Sequence, residues 1–408
     1  MENLNILIYI PHQDSGQLGG AQVRTIEVIK RGKKHGINYT VVENKPSFRN
    51  LYNLENVYEI NSYGYPKSII SYFKMLIEFL FIGLKRIKRD DIDLIVSPYE
   101  SPFCVFPAYV TSKLTGTPWT SLLQSVPVYW YITNHEKKYT SKFMDIYRHL
   151  SIHKYHGDNV FFSAITRWLI YKMLRDTKVV AIRSIAKTIQ KVDNKLKIIG
   201  LYPGYGIDYE KIFAIPNSDI KEYDAIFASA LFSGKGVYDV IDAWSIVVKK
   251  IPSAKLCIVG RGNEQNAKKI NKKIKKMNLE TNIFLPYDPL KGASLEELWP
   301  LMKKCKILIH PSIIDSWSLV IGEALACGLP VITYDIEPIK EAYGNCPIVF
   351  RVNVKDIKNI AIKTLEILKN DNLLKEYSIH AMECAKSYDW NNAVIAEKKV
   401  YELLLNKK

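Results

Sequence analysis

A chain of 408 residues with 57 Lys or Arg against 41 Asp or Glu carries a formal net charge of +16. Its length suggests two domains, and 48% hydrophobic with 12% aromatic residues excludes a disordered chain, while 20 Gly and 18 Pro exclude a collagen-like or low-complexity one. The charge leaves nucleic acid, an anionic membrane surface and phosphorylated small molecules as partner classes.

The first half alternates strand and helix signals. ILIYIP (6–11) is a short β-branched apolar run and predicts a first strand. Gly19-Gly20 and a helical stretch follow, TIEVIKRGKKHG (25–36), closing on basic residues and a C-cap glycine. YTVVE (39–43) is a strand. Residues 66–89 predict a long helix, because Ile69, Phe73, Ile77, Leu80, Leu84 and Ile87 recur at three- and four-residue steps. DLIVSP (93–98), PWTSLLQS (118–125), TKVVAIR (177–183) and KLKIIGLYP (195–203) predict strands, and 159–176 a helix. In the second half, 223–231, 254–260, 281–286, 306–312 and 330–335 are strand-like. Between and after them 236–250, 263–278, 295–304, 319–327 and 356–370 are helix-like. Alternating strands and helices imply βαβ units and a doubly wound parallel sheet in each half. PGYGIDYEKIF (203–213) is the linker candidate.

The six cysteines form no C-x-x-C pair and mostly sit in apolar runs, so they read as reduced, buried side chains without metal or disulfide. MENLNILIYIP has no basic region ahead of its apolar stretch and reads as a strand, not a signal peptide. The most apolar window, 69–84, contains Lys74 and Glu78 and is too short to span a bilayer. The expected location is cytoplasmic.

In open parallel sheets ligands bind at the carboxyl ends of strands. Three such places carry chemistry. Gly19-Gly20 precedes a helix, where close backbone approach and free N–H groups suit a phosphate. Gly234-Lys235-Gly236 puts an ammonium at another helix start. HPSIIDSWSLVIGEALACGLPVI (310–332) places Asp315 in a loop and Glu323 about a turn into the next helix. Ser318, Leu319 and Val320 open that helix, with N–H groups available to a diphosphate. A carboxylate before the helix can grip sugar hydroxyls, and one inside it a ribose diol.

With DSWSLVIGEALACGLPVI in the place of an E-G-F-G-L-x-x-x-E-A-x-A-x-G-x-P-V-I motif, the chain resembles the family 4 glycosyltransferases. GGAQVRTIEVIKRGKKHG, YPGYGIDYEKIF, the block from LFSGKGVYDV to IVGRG, and YDWNNAVIAEKKVYELL (388–404) resemble further segments of that family. The resemblance implies a GT-B fold: two Rossmann-like domains facing across a cleft, with a C-terminal helix returning to the N-terminal domain. It divides the chain into 1–203 for the acceptor, 204–387 for the donor and 388–408 as the crossover helix. Glu323 would bind the donor ribose and Asp315 the donor sugar. Lys235, Gly19, Gly20, Ser318, Leu319 and Val320 would hold the diphosphate. The reaction implied is transfer from a nucleotide sugar, UDP- or GDP-linked, with retention and without metal or cofactor.

Three departures stand out. The family's arginine falls on Ala230, leaving Arg261 and Arg183 as substitute cations; the first glutamate is Asp315; and a frequent N-domain histidine falls on Gln124. Among the N-domain histidines, His12, His135, His149, His153 and His156 read as structural or exposed. Residues 1–205 carry 28 Lys or Arg against 16 Asp or Glu, and residues 206–408 carry 29 against 25. The excess thus lies in the acceptor half. Residues 66–89 end in Lys85-Arg86-Ile87-Lys88-Arg89, and 160–178 mix Phe161, Phe162, Trp168, Leu169, Ile170 and Tyr171 with Arg167, Lys172 and Arg175. Such mixtures suit a peripheral contact with anionic lipid and a glycan or lipid-linked acceptor. The alternative is a catalytically weak relative that binds nucleotide or glycan as a scaffold. Nucleic acid is disfavoured, since no recognition motif for it is present.

Overall fold

The computed structural model describes residues 3–11, 20–44, 54–61, 66, 68–124, 160–218 and 220–406. The chain divides into two compact units, 1–204 with 391–408, and 205–390.

The first unit is built on seven strands: β1 (Leu4–Ile10), β2 (Ile37–Glu43), β3 (Val57–Glu59), β4 (Leu94–Ser97), β5 (Trp119–Leu123), β6 (Lys178–Ile182) and β7 (Lys197–Leu201). All pairs are parallel, in the order β3-β2-β1-β4-β5-β6-β7. Central strands such as β1 are buried along nearly their whole length, as expected when helices cover both faces of a parallel sheet. The described helices are α1 (Gly20–Gly32), α2 (Ile69–Arg89), α3 (Pro102–Thr115), α4 (Val160–Leu174) and α5 (Arg183–Val192).

The second unit has β8 (Tyr223–Ala228), β9 (Leu256–Val259), β10 (Ile283–Phe284), β11 (Cys305–His310), β12 (Val331–Tyr334) and β13 (Val349–Val352), parallel in the order β10-β9-β8-β11-β12-β13. Its helices are α6 (Tyr209–Ala214), α7 (Val237–Val248), α8 (Glu264–Lys276), α9 (Leu295–Lys303), α10 (Leu319–Ala326), α11 (Glu337–Tyr343), α12 (Ile357–Leu368) and α13 (Asp371–Lys386). The predicted linker thus contains α6. Strand order reverses between β8 and β11, and the loops leaving those two strands hold Lys235 and Asp315. This is the switch point where an open α/β sheet offers its ligand crevice.

The last helix, α14 (Trp390–Leu404), packs on the first unit. Its Val394 and Tyr401 join the core formed by β1, β2 and α1. Glu397 is buried there against the Arg24 guanidinium, and Arg24 also donates to the Gly204 carbonyl. Two buried opposite charges satisfy each other, whereas one alone would be costly.

The expectation that all six cysteines are reduced is corrected at one pair. Cys346 and Cys384 form a disulfide with Cα atoms 5.9 Å apart. Thirty-eight residues separate them, and only the packing of α13 beside the segment after α11 brings them together. Cys104, Cys257, Cys305 and Cys327 are free and buried.

Candidate functional site

The site grows from two loops of the second unit. After β8 the chain makes a short 3-10 turn, Ser233–Lys235, and enters α7 through Gly236. Gly236 has φ +86°, and a Cβ there would lie 2.1 Å from the Pro311 carbonyl oxygen. Only glycine allows both the left-handed turn and that approach. The Lys235 ammonium then donates to the Ile314 carbonyl at 2.8 Å and to Asp315 Oδ2 at 3.0 Å. An ammonium has three donors, so one remains for an incoming anion.

The second loop runs from the end of β11 to α10. His310 is buried, and its Nε2 lies 3.1 Å from Asp315 Oδ2 and 2.9 Å from Ser318 Oγ. Burial alone would push the Asp315 carboxyl up. The Lys235 ammonium and the His310 hydrogen bond overcome that and hold it well below the usual carboxylate range. Asp315 is therefore an anion at neutral pH. Trp317 is buried among Tyr205, Tyr343 and Tyr388, with ring centroids 5.9–6.4 Å away, and wedges the loop in place.

Ser318 caps α10 with φ +66°, a left-handed conformation costly for a residue with a Cβ. It is pinned by its bond to His310 and by the Tyr343 hydroxyl, which donates to the Ser318 carbonyl at 2.9 Å. The amides of Leu319 and Val320 follow; the first amides of a helix have no acceptor within it. Glu323 lies further along α10. Burial raises its carboxyl to about 7, and the negative charge of Asp208 adds to the rise. Among the described residues, no group of three His, Cys, Asp or Glu is placed to hold a metal ion.

The structure thus brings Lys235, Asp315 and Ser318 into one hydrogen-bonded cluster, with Leu319, Val320 and Glu323 on the helix that leaves it. Arg261 follows β9 with an exposed side chain. Gly20 opens α1 in the first unit, with open space where a Cβ would stand. Gly19, His12, His135, His149, His153 and His156 lie outside the described residues. Ala230 and Arg183 are exposed. Gln124, in the place of a family histidine, is buried and donates to Thr25 Oγ1 at 3.2 Å and the Pro98 carbonyl at 2.9 Å. His310 was missed in the sequence, although it directly precedes the Pro-Ser of the strongest motif. Nothing in the sequence reveals that its ring faces Asp315.

Residues 208–383 match the family model described as glycosyl transferases group 1. That span contains the whole cluster. Poly(glycerol-phosphate) alpha-glucosyltransferase of Bacillus subtilis is 28% identical over 188 residues, which is 44% of this chain and 26% of that protein. The chain spans about half or less of the length of the first curated relatives it matches. Among solved structures, a glycosyltransferase from Rickettsia africae superposes with a TM-score of 0.71 at 19% identity, covering all of both chains. An Anabaena protein, HepE, in complex with UDP and glucose gives 0.67 at 16%, covering 99% of this chain and all of that one. The two parallel-sheet units therefore have the GT-B fold. The match to residues 208–383 supports a glycosyltransferase of the kind the sequence resembles.

Proposed function

We propose that the chain is a retaining, metal-independent glycosyltransferase. It moves a sugar from a UDP- or GDP-linked donor to a glycan or lipid-linked saccharide, in envelope glycan or glycoprotein oligosaccharide synthesis. The Lys235–Asp315–His310–Ser318 cluster at the start of α10 carries this reading.

Its parts divide the work. Lys235 offers its remaining donor to the diphosphate, beside the amides of Leu319 and Val320. Both interactions strengthen as the bond from anomeric carbon to phosphate oxygen breaks and charge collects on the leaving group. Asp315, held ionised, accepts from sugar hydroxyls, and Glu323 takes the ribose diol once ionised. The acceptor hydroxyl forms the new carbon–oxygen bond on the face the leaving group vacates, and its proton passes to the departing diphosphate. HepE of Anabaena, which shares the fold, is seen in complex with UDP and glucose, consistent with such a donor.

A second reading, a nucleotide- or glycan-binding scaffold with weak turnover, is favoured by Ala230 and by Gln124, whose amide is committed to Thr25 and Pro98. Nucleotide release from UDP- and GDP-sugars separates the two. Turnover that falls by about 100-fold or more in Asp315→Ala and Glu323→Ala supports the enzyme. Unchanged turnover in both would sink the site assignment, and nucleotide binding without release in the wild type would favour the scaffold.

A further inference from the structure

Helix α2 is apolar on two opposite faces. The inner face, Tyr72, Met75, Leu76, Phe79 and Gly83, is buried. Gly83 lets the Tyr9 hydroxyl approach, and Phe79 meets the Tyr9 ring edge-on at 6.1 Å. The outer face is exposed: Ile70 by 83%, Phe73 by 51%, Ile77 by 64% and Phe81 by 68%. At 3.6 residues per turn, Lys74, Lys85 and Lys88 fall on that same side, and all three are exposed. The recurrence of Ile69, Phe73 and Ile77 thus marks the outward side of the helix and not its core side.

The neighbouring helices also expose apolar side chains. α2 packs on α3, and α3 on α4. Leu114 of α3 and Trp168 and Leu169 of α4 are exposed, and the Lys172 ammonium sits 3.9 Å over the Trp168 ring. The side chains of Phe161, Phe162 and Arg167 lie outside the described residues. Of the bordering acids, Glu78 is paired with Lys74 and Asp176 with Lys113. A soluble helix keeps its outer face polar, and a contiguous exposed apolar patch marks an interaction site.

We propose that the outer face of α2, continued by Trp168 and Lys172, seats the first unit on an anionic lipid surface. Ile70, Phe73, Ile77 and Phe81 enter the headgroup boundary, while Lys74, Lys85 and Lys88 meet lipid phosphates. Charge selects this occupant. The face is cationic, and residues 1–205 carry the larger share of the net positive charge. A second copy on the same face would set those lysines against each other, whereas an anionic bilayer neutralises them. No described helix is long and apolar enough to cross a membrane, so the contact is with its surface. The proposal deepens the reading of a lipid-linked acceptor and rests on it for its purpose.

The test is flotation of the full chain with vesicles of phosphatidylcholine alone and of phosphatidylcholine mixed with phosphatidylglycerol. The wild type is expected to float only with the anionic vesicles. The double variant Ile77→Glu/Phe81→Glu and the double variant Lys85→Glu/Lys88→Glu are each expected to lose about 10-fold or more of that binding. Both should keep the wild-type Tm and the wild-type shift with UDP or GDP. Failure to bind either vesicle, or equal binding to both, overturns the proposal. So does a dimer in solution that Ile77→Glu/Phe81→Glu dissolves, which would assign the face to a second copy. A Tm lowered by several degrees in that variant also overturns it, since the face would then be covered by the chain itself. If flotation succeeds but no nucleotide shifts the Tm, the donor reading fails while the surface assignment stands.

Discussion

The two units break opposite rules of protein interiors and surfaces. In the second unit, the half-buried ion pair of Lys235 and Asp315 sits against the buried His310 ring, in one hydrogen-bonded cluster at the end of two strands. In the first, large apolar side chains stand in solvent along α2 and at Trp168. Buried charges are retained where a ligand needs fixed, desolvated polar groups. Exposed apolar groups are retained where something else covers them. The contrast is what the two proposals rest on: donor chemistry at the β8–β11 switch point, and a lipid surface at the helical layer of the other unit.

Backbone geometry at Gly236 gives the largest expected effect. Gly236→Ala sets a Cβ against the Pro311 carbonyl in a left-handed turn, so it should destabilise the protein by roughly 2–4 kcal/mol and release Lys235 from Asp315. Ile77→Ser on the exposed face should cost less than about 0.5 kcal/mol. Chemical denaturation of the two variants reads both. Similar losses would mean that the α2 face is not free.

Next is the pH dependence of Glu323. Its folded-state carboxyl is raised to about 7, so the folded protein keeps a proton that the unfolded chain has released. The stability this supplies is present below the ordinary carboxylate range and is lost as pH rises through about 7. Glu323→Gln should flatten that part of the stability profile by roughly 3 kcal/mol. Nucleotide affinity should rise over the same interval in the wild type, because the carboxylate would accept from both hydroxyls of a ribose diol more strongly than the neutral acid, and the rise should vanish in the variant. An unchanged profile in Glu323→Gln would remove Glu323 from the site.

The smallest effect sharpens the account of Ser318. Ser318→Ala and Ser318→Gly both lose the bond to His310, but only alanine keeps the cost of φ +66°. The glycine variant should be the more stable by about 1 kcal/mol. Equal stabilities would mean that the loop relaxes out of its left-handed turn.

Much of the fold was legible because parallel sheets write long apolar runs into the sequence, and because the turns at Gly236 and Gly328 demand glycine. α3 carries no such signal: it is apolar on nearly every side, contains Pro107, and so has little helical period. In the site, Asp315, Glu323 and Lys235 could be read from their places after strands. The role of His310 depends on which way a ring turns, and the Cys346–Cys384 pair on a contact between distant segments. Local pattern carries neither. The two-faced character of α2 is a further case, since periodicity identifies a stripe but not which stripe faces the sheet.

The central claim is that Lys235 and the start of α10 hold the diphosphate of a nucleotide sugar. Calorimetric titration of UDP and of GDP into wild type and Lys235→Ala tests it most directly. The account predicts that one of the two binds the wild type and that Lys235→Ala weakens it by about 10-fold or more, as expected for loss of a charged hydrogen bond. Binding that is absent in the wild type, or equally tight in Lys235→Ala, would contradict it.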